Sequence, residues 1–139
     1  MKALCVSLVL AGLFLGGCSD SKPDLREGKW KVTADVNMKG VPFKMPPMVY
    51  EECLTQKDII PSNSQSDDGC ILEGPEIKGN TVSWHSVCTN TDGEVATSDG
   101  TITYAGERFT GSIAINITGE MPMSAQNTLT GEYIGVCDK

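Results

Sequence analysis

The sequence predicts an all-β domain: an antiparallel meander of about seven or eight strands, curled into a barrel, half-barrel or sandwich, with at most one short helix. Three observations carry this. Two stretches alternate between apolar and polar residues, the first of them strictly, as half-buried strands do. Turn signals rich in Gly, Asn, Asp and Pro recur between strand-like runs along the chain. No stretch of the domain shows a sustained helical period.

The first alternating stretch starts at Gly28. Trp30, Val32, Ala34, Val36 and Met38 are apolar, while Lys29, Lys31, Thr33, Asp35 and Asn37 are polar. The Pro-rich connection Gly40 to Pro47 follows, and Met48 to Leu54 reads as a short strand. Thr55-Gln56-Lys57-Asp58 has the look of a helix start with Thr55 as N-cap, and Pro61 would stop it. Asn63 to Gly69 is a polar loop. Lys78-Gly79-Asn80 is a turn between the runs Cys70–Ile77 and Thr81–Cys88. After the loop Asn90-Thr91-Asp92-Gly93, the run Glu94 to Tyr104 is a weaker strand pattern, interrupted at Asp99-Gly100. Ala105-Gly106-Glu107-Arg108 is a turn. Phe109, Gly111, Ile113, Ile115 and Ile117 then alternate with Thr110, Ser112, Ala114, Asn116 and Thr118, the second clean strand. Glu120 to Ser124 is a Met-Pro-Met turn region, and Ala125 to Val136 is the last strand. The large core members expected are Trp30, Trp84, Tyr104, Phe109 and Tyr133.

The chain has 139 residues, room for one domain. Residues 1–17 read as a secretory leader: Lys2 is the positive n-region, Ala3 to Leu15 the apolar core, and Gly16-Gly17 the small residues before a cut. That apolar run falls short of the roughly 20 residues of a spanning helix. Leu15-Gly16-Gly17-Cys18 resembles the lipobox of bacterial lipoproteins, in which the cysteine thiol receives a diacylglycerol and the freed amine is acylated. The expected division is therefore a leader over 1–17, a lipid anchor on Cys18 with a tether to residue 27, and a β domain over 28–139. Each buried CH₂ of an acyl chain contributes about 0.8 kcal/mol, so several chains anchor firmly. Ser19, in place of Asp, leans toward the outer membrane rather than retention in the inner one. The formal charge is −7, and losing Lys2 makes it −8. A surface this acidic excludes nucleic acid as a partner and gains nothing from an anionic bilayer. The membrane is then met through the lipid on Cys18.

Cys5 leaves with the leader and Cys18 carries lipid, so Cys53, Cys70, Cys88 and Cys137 remain. Four cysteines in an oxidising compartment read as two disulfides. A hairpin folded about Gly79 sets Cys70 directly across from Cys88, within bridging range unless the register slips or a bulge forms at Pro75. Cys53 then pairs with Cys137. A Cys₄ zinc site would want a Cys-x-x-Cys pair, which the sequence lacks.

The order of these features resembles the bacterial domain of unknown function 3617 family. The matching pieces are Gly28-Lys29-Trp30, Met45-Pro46-Pro47-Met48, Glu52-Cys53-Leu54-Thr55, Gly69-Cys70, Gly79-Asn80-Thr81-Val82-Ser83-Trp84 leading to Cys88, and Tyr133-Ile134-Gly135-Val136-Cys137. The resemblance implies small secreted or lipid-anchored envelope proteins of β architecture. It implies no activity and so transfers no catalytic residue.

Catalytic chemistry is poorly supplied. His85 is the one histidine, and no Gly-x-Ser-x-Gly elbow occurs. Glu73 opposes His85 in the same hairpin register, a pairing that suits an ion pair on a solvent face better than a general base. Asp67-Asp68 and Asn90 to Gly93 suit turns rather than a calcium loop. Met38, Met45, Met48, Met121 and Met123 flank connections. The reading of Met45, Met48, Met121 and Met123 as lining for a ligand is set against a copper site of converging thioethers. The sequence therefore points to a non-enzymatic envelope lipoprotein without a cofactor, holding a small apolar ligand or an envelope protein, with copper binding as the alternative.

Overall fold

In the computed structural model of the chain, residues 22–60 and 69–138 are described. The expected leader, the lipidated Cys18, Pro61 and the acids Asp67 and Asp68 lie outside them. Seven strands follow one another: β1 (Gly28–Met38), β2 (Met48–Leu54), β3 (Cys70–Lys78), β4 (Thr81–Thr89), β5 (Val95–Ala105), β6 (Arg108–Thr118) and β7 (Met123–Gly135). They form one antiparallel sheet in the order β2-β1-β7-β6-β5-β4-β3. Strands β3 to β7 are the expected meander. The β1–β2 hairpin then joins it through β1 against β7, from Lys29↔Gly135 to Met38↔Ala125. The sheet stays open, with β2 and β3 as its two edges.

The period of two puts one face of every strand inward. Trp30, Val32 and Ala34 of β1, Val82 and Trp84 of β4, Ile102 and Tyr104 of β5, Phe109 and Ile113 of β6, and Leu129 of β7 are all buried there. The aromatic members meet edge to face or tilted. Trp30 lies 5.4 Å from Phe109 and 6.0 Å from Tyr133, and Tyr104 lies 5.6 Å from Phe109. The Trp30 indole Nε1–H donates to the Arg26 carbonyl at 2.9 Å, so this fully buried ring leaves no polar atom unpaired. Phe109 seats itself over Gly131, whose missing Cβ gives the ring its room.

Residues 55–60 fold from the edge strand β2 over this inner face. Ile60 is buried in the same core cluster, and Tyr104 Oη donates to the Ile59 carbonyl at 3.0 Å. The chain entering β1 closes the same end. Leu25 is buried and bridges to Gly106, and Arg26 pairs with Glu107 while its guanidinium stacks on Tyr133. The last residues of the expected tether therefore lie against the sheet.

Four local expectations are corrected. Thr55–Asp58 is a turn and not a helix start: the Asp58 carboxylate accepts from both the Thr55 N–H and its hydroxyl, and the Asp58 N–H returns to the Thr55 carbonyl. The geometry closes on itself in one turn and sends Ile59 and Ile60 to the core. Strand β5 runs unbroken through Asp99-Gly100, because Gly100 is where the Trp84 indole lies against the strand. Strand β7 begins at Met123, paired with Ile117, inside the segment expected to be a turn. The β3–β4 hairpin turns on the two residues Gly79-Asn80, with Lys78 opposite Thr81, so it is not centred on Gly79. Gly79 has φ +60°, as the first position of a II′ turn requires. A register shift between Glu73 and Glu76, at Gly74-Pro75, then takes up one residue and restores Cys70 opposite Cys88. The two departures cancel, and the disulfides form as Cys70–Cys88 and Cys53–Cys137.

Candidate functional site

The outer face is polar. Thr81, Thr103, Thr110, Thr130 and Thr33 occupy one row across five strands, with a hydroxyl bond of 2.9 Å between Thr81 and Thr103. His85 belongs to this face. Glu73 opposes it in register, yet its Nδ1 bonds to Asp99 Oδ1 on β5 at 2.7 Å. Both side chains are well exposed, at 36% and 63%. They form a cross-strand pair on solvent, away from any cleft of the inner face. The loop before β5 is an Asx-turn: Asn90 Oδ1 accepts the N–H groups of Asp92 and Glu94 at 3.0 and 2.8 Å. Among the described residues, no three His, Cys, Asp or Glu side chains gather as a metal site would need.

The inner face has two unlike halves. Its aromatic half, toward the Gly79-Asn80 and Gly106-Glu107 turns, is sealed by Ile59, Ile60 and Leu25. Its other half runs to the ends of β1 and β6 and the start of β7, where Met38 and Met123 stand. The division falls on one row, in which Trp84 opposes Gly100, Gly100 opposes Ile113, Ile113 opposes Asn127 and Asn127 opposes Val36. Beyond it Ser86 is still buried, but the inward residues Ser98, Ile115, Ala125, Met38, Ala96 and Ile117 are only half-buried. Met48 and Met123 are 59% and 39% exposed. The row itself holds two anomalies. Trp84 is 4% exposed, and its Nε1–H has no hydrogen-bond partner among the described residues; the Asn127 Oδ1 is also buried without one there. One row further, Ser86 and Ser98 share a hydroxyl bond at 2.7 Å. The row and its neighbour thus set a donor and an acceptor without partners among the described residues, and a hydroxyl pair, on the same face as half-buried apolar side chains.

A carboxylate stands at the border of the sealed half. Glu52 projects inward from β2 opposite Trp30 and is half-buried. Burial, and then the nearby Asp58 charge, push its carboxyl above the ordinary range. Burial also raises the Tyr104 phenol, helped by Glu52 and Asp58.

Met48 and Met123 stand far apart on the inner face. Met48 stands in the row of Ala34 and Leu129, while Met123 begins β7 opposite Ile117. Six residues of strand separate Leu129 from Met123, about 20 Å at the usual rise, beyond what two thioethers span to share one ion. Met121 is 83% exposed in the β6–β7 turn, and Met45 is half-buried in the β1–β2 connection. What sequence reasoning missed is the row of Trp84 and Asn127. Trp84 reads as core, and Asn127 as one more polar residue of a strand; only the register sets them in line.

No curated protein and no solved structure matches the chain. A family model does, over residues 25–137, which takes in every strand, all four bridging cysteines and the buried Leu25. The chain belongs to the DUF3617 family, proteins of unknown function.

Proposed function

We propose that the chain is an envelope lipoprotein, anchored by lipid on Cys18 and facing the periplasm, whose β domain is a non-enzymatic binding module. The half-open part of the inner face takes a small apolar ligand or a segment of an envelope partner. One observation carries this reading: the inner face stops being sealed at the row where Trp84 Nε1 and Asn127 Oδ1 are buried without hydrogen-bond partners among the described residues. An unmet buried polar group costs about 1–3 kcal/mol, so the Trp84 donor on β4 and the Asn127 acceptor on β7, in one row with β5 and β6 between them, are each a group that a ligand's own polar atoms would satisfy. Ser19 after Cys18 favours the outer membrane.

Two measurements test it. Cys18→Ser should move the protein from the membrane fraction to the soluble one; unchanged fractionation rules out the anchor. The chain from Ser19 onward, titrated with the neutral fluorescent probe N-phenyl-1-naphthylamine, should enhance the probe's emission and shift the Trp84 indole N–H resonance. Ile115→Lys should abolish both effects. Probe binding that leaves the Trp84 resonance in place would put the site elsewhere.

A further inference from the structure

The two edges of the sheet are defended differently. An edge strand offers unpaired N–H and C=O groups to any passing chain, and proteins usually blunt it with a bulge, proline or an edge lysine. Strand β3 has all three: the register shift at Gly74-Pro75, the proline itself and Lys78. Strand β2 has none. Its seven residues hold an unbroken register with β1, from Gly28↔Leu54 to Ala34↔Met48, and contain no proline, lysine or arginine. Its other side has no strand partner among the described residues. Apolar side chains stand on both faces of this bare edge, Met48 at 59%, Val49 at 57% and Tyr50 at 39% exposure.

Charge says what kind of chain fits. Glu51 is already paired with Lys29 at 2.9 Å. Glu52, inward and half-buried, has no ion pair among the described residues. A second copy is a poor occupant. Two β2 strands paired antiparallel about their midpoint would set Glu51 against Glu51 and each Glu52 against a Tyr50, in a chain of charge −7. A basic segment meets neither obstacle.

We propose that β2 is a docking edge for strand addition, accepting an extended segment of another envelope protein with apolar residues at alternate positions and a lysine or arginine opposite Glu52. Backbone hydrogen bonds along Met48–Leu54 supply the adhesion. The apolar contacts with Met48 and Tyr50, and the cation beside Glu52, select the sequence. This edge is separate from the half-open inner face; calling the partner an envelope protein rests on the location proposed above, whereas the peptide test below does not.

The test uses the chain from Ser19 onward, which includes every strand and the whole described core. Its probe is a short fluorescein-labelled peptide of alternating valine and threonine whose central valine is replaced by arginine, with a glutamine version as control. Anisotropy should show the arginine peptide binding more tightly than the glutamine one. Glu52→Gln should remove that preference, about threefold to tenfold, and leave the glutamine peptide unchanged. Val49→Lys, at an exposed position, should weaken both. Amide exchange at alternate β2 residues should slow at least about tenfold with peptide bound. Equal affinity for the two peptides overturns the proposal. So does protection appearing on β3, or β2 protection without peptide together with a dimer in sedimentation, which would make a second copy the occupant.

Discussion

Replacing Gly100 by alanine would set a methyl group inside the Trp84 indole. Gly100 does not need a glycine's backbone freedom: it sits in regular strand between Trp84 on β4 and Ile113 on β6, and its φ is not positive. On backbone grounds alanine would stabilise there by about 0.4–1 kcal/mol, through a less disordered unfolded chain. Sterics oppose this. A Cβ would fall within 2.6 Å of three indole atoms, Cζ2, Cε2 and Cη2. These belong to a rigid bicycle that is 4% exposed, so they cannot swing aside as the tip of a flexible chain would. Either the indole leaves its place or β4 and β5 part. Overpacking of this kind costs about 1–3 kcal/mol, leaving a net loss of about 1–2 kcal/mol. For a domain of this size, urea m values of about 1–1.5 kcal/mol/M turn that into a midpoint lowered by about 1 M. The cause is isolated by a cycle with Trp84→Leu. In that background Gly100→Ala should be neutral or stabilising, a coupling of about 2 kcal/mol. An unchanged midpoint for Gly100→Ala, or an equal loss in the leucine background, would refute the account of why glycine stands there.

The two disulfides should differ in worth. Cys53–Cys137 closes a separation of 84 residues and Cys70–Cys88 one of 18, so chain entropy gives about 4.5 and about 3 kcal/mol; urea melts of the paired alanine variants should keep that order, and a reversed order would sink the argument. Glu52 carries a raised pKa, so between the unfolded and folded values the native state binds more protons than the unfolded one. Its contribution is therefore at full strength at low pH and is lost as pH rises through the folded value. Glu52→Gln should flatten the stability profile above pH 4.5, and a profile unchanged by the substitution would contradict this. Tyr104→Phe removes the donor to the Ile59 carbonyl and should cost about 1–2 kcal/mol, with faster amide exchange over residues 55–60 as its local mark.

How far the fold is legible depends on whether its cause is local. Strands β1 and β6 could be read outright, because each has one face in the core and one in water. The pairing of Cys70 with Cys88 could be read too, although the turn and the bulge behind it could not: each shifts the register by one and their effects cancel. Strand β5 looked broken at Asp99-Gly100 because glycine weakens a strand on its own, and its use becomes visible only when Trp84 arrives from β4. The Thr55–Asp58 motif offers the same hydrogen bonds to a helix cap and to a closed turn. The need of Ile59 and Ile60 for the core decides between them.

Strand order is the part that no local pattern specifies, and both proposed sites depend on it. Had the meander simply run from β1 to β7, β2 would lie between β1 and β3 and present no edge. The pairing of β1 with β7 sends β2 outward instead. That pairing sets Trp30 against Phe109 and Tyr133, rings that lie on strands far along the chain. The same step brings Val36 beside Asn127 and completes the row that divides the inner face. The Cys53–Cys137 bridge ties β2 to the chain just past β7, across β1, and is the one trace of this arrangement in the sequence. The β1–β7 pairing thus buries Trp30 and, by sending β2 outward, exposes Met48, Val49 and Tyr50 on an unguarded edge. Those residues are exposed by topology, while their own composition, Met-Val-Tyr-Glu-Glu-Cys-Leu, would serve equally well in the interior of a sheet.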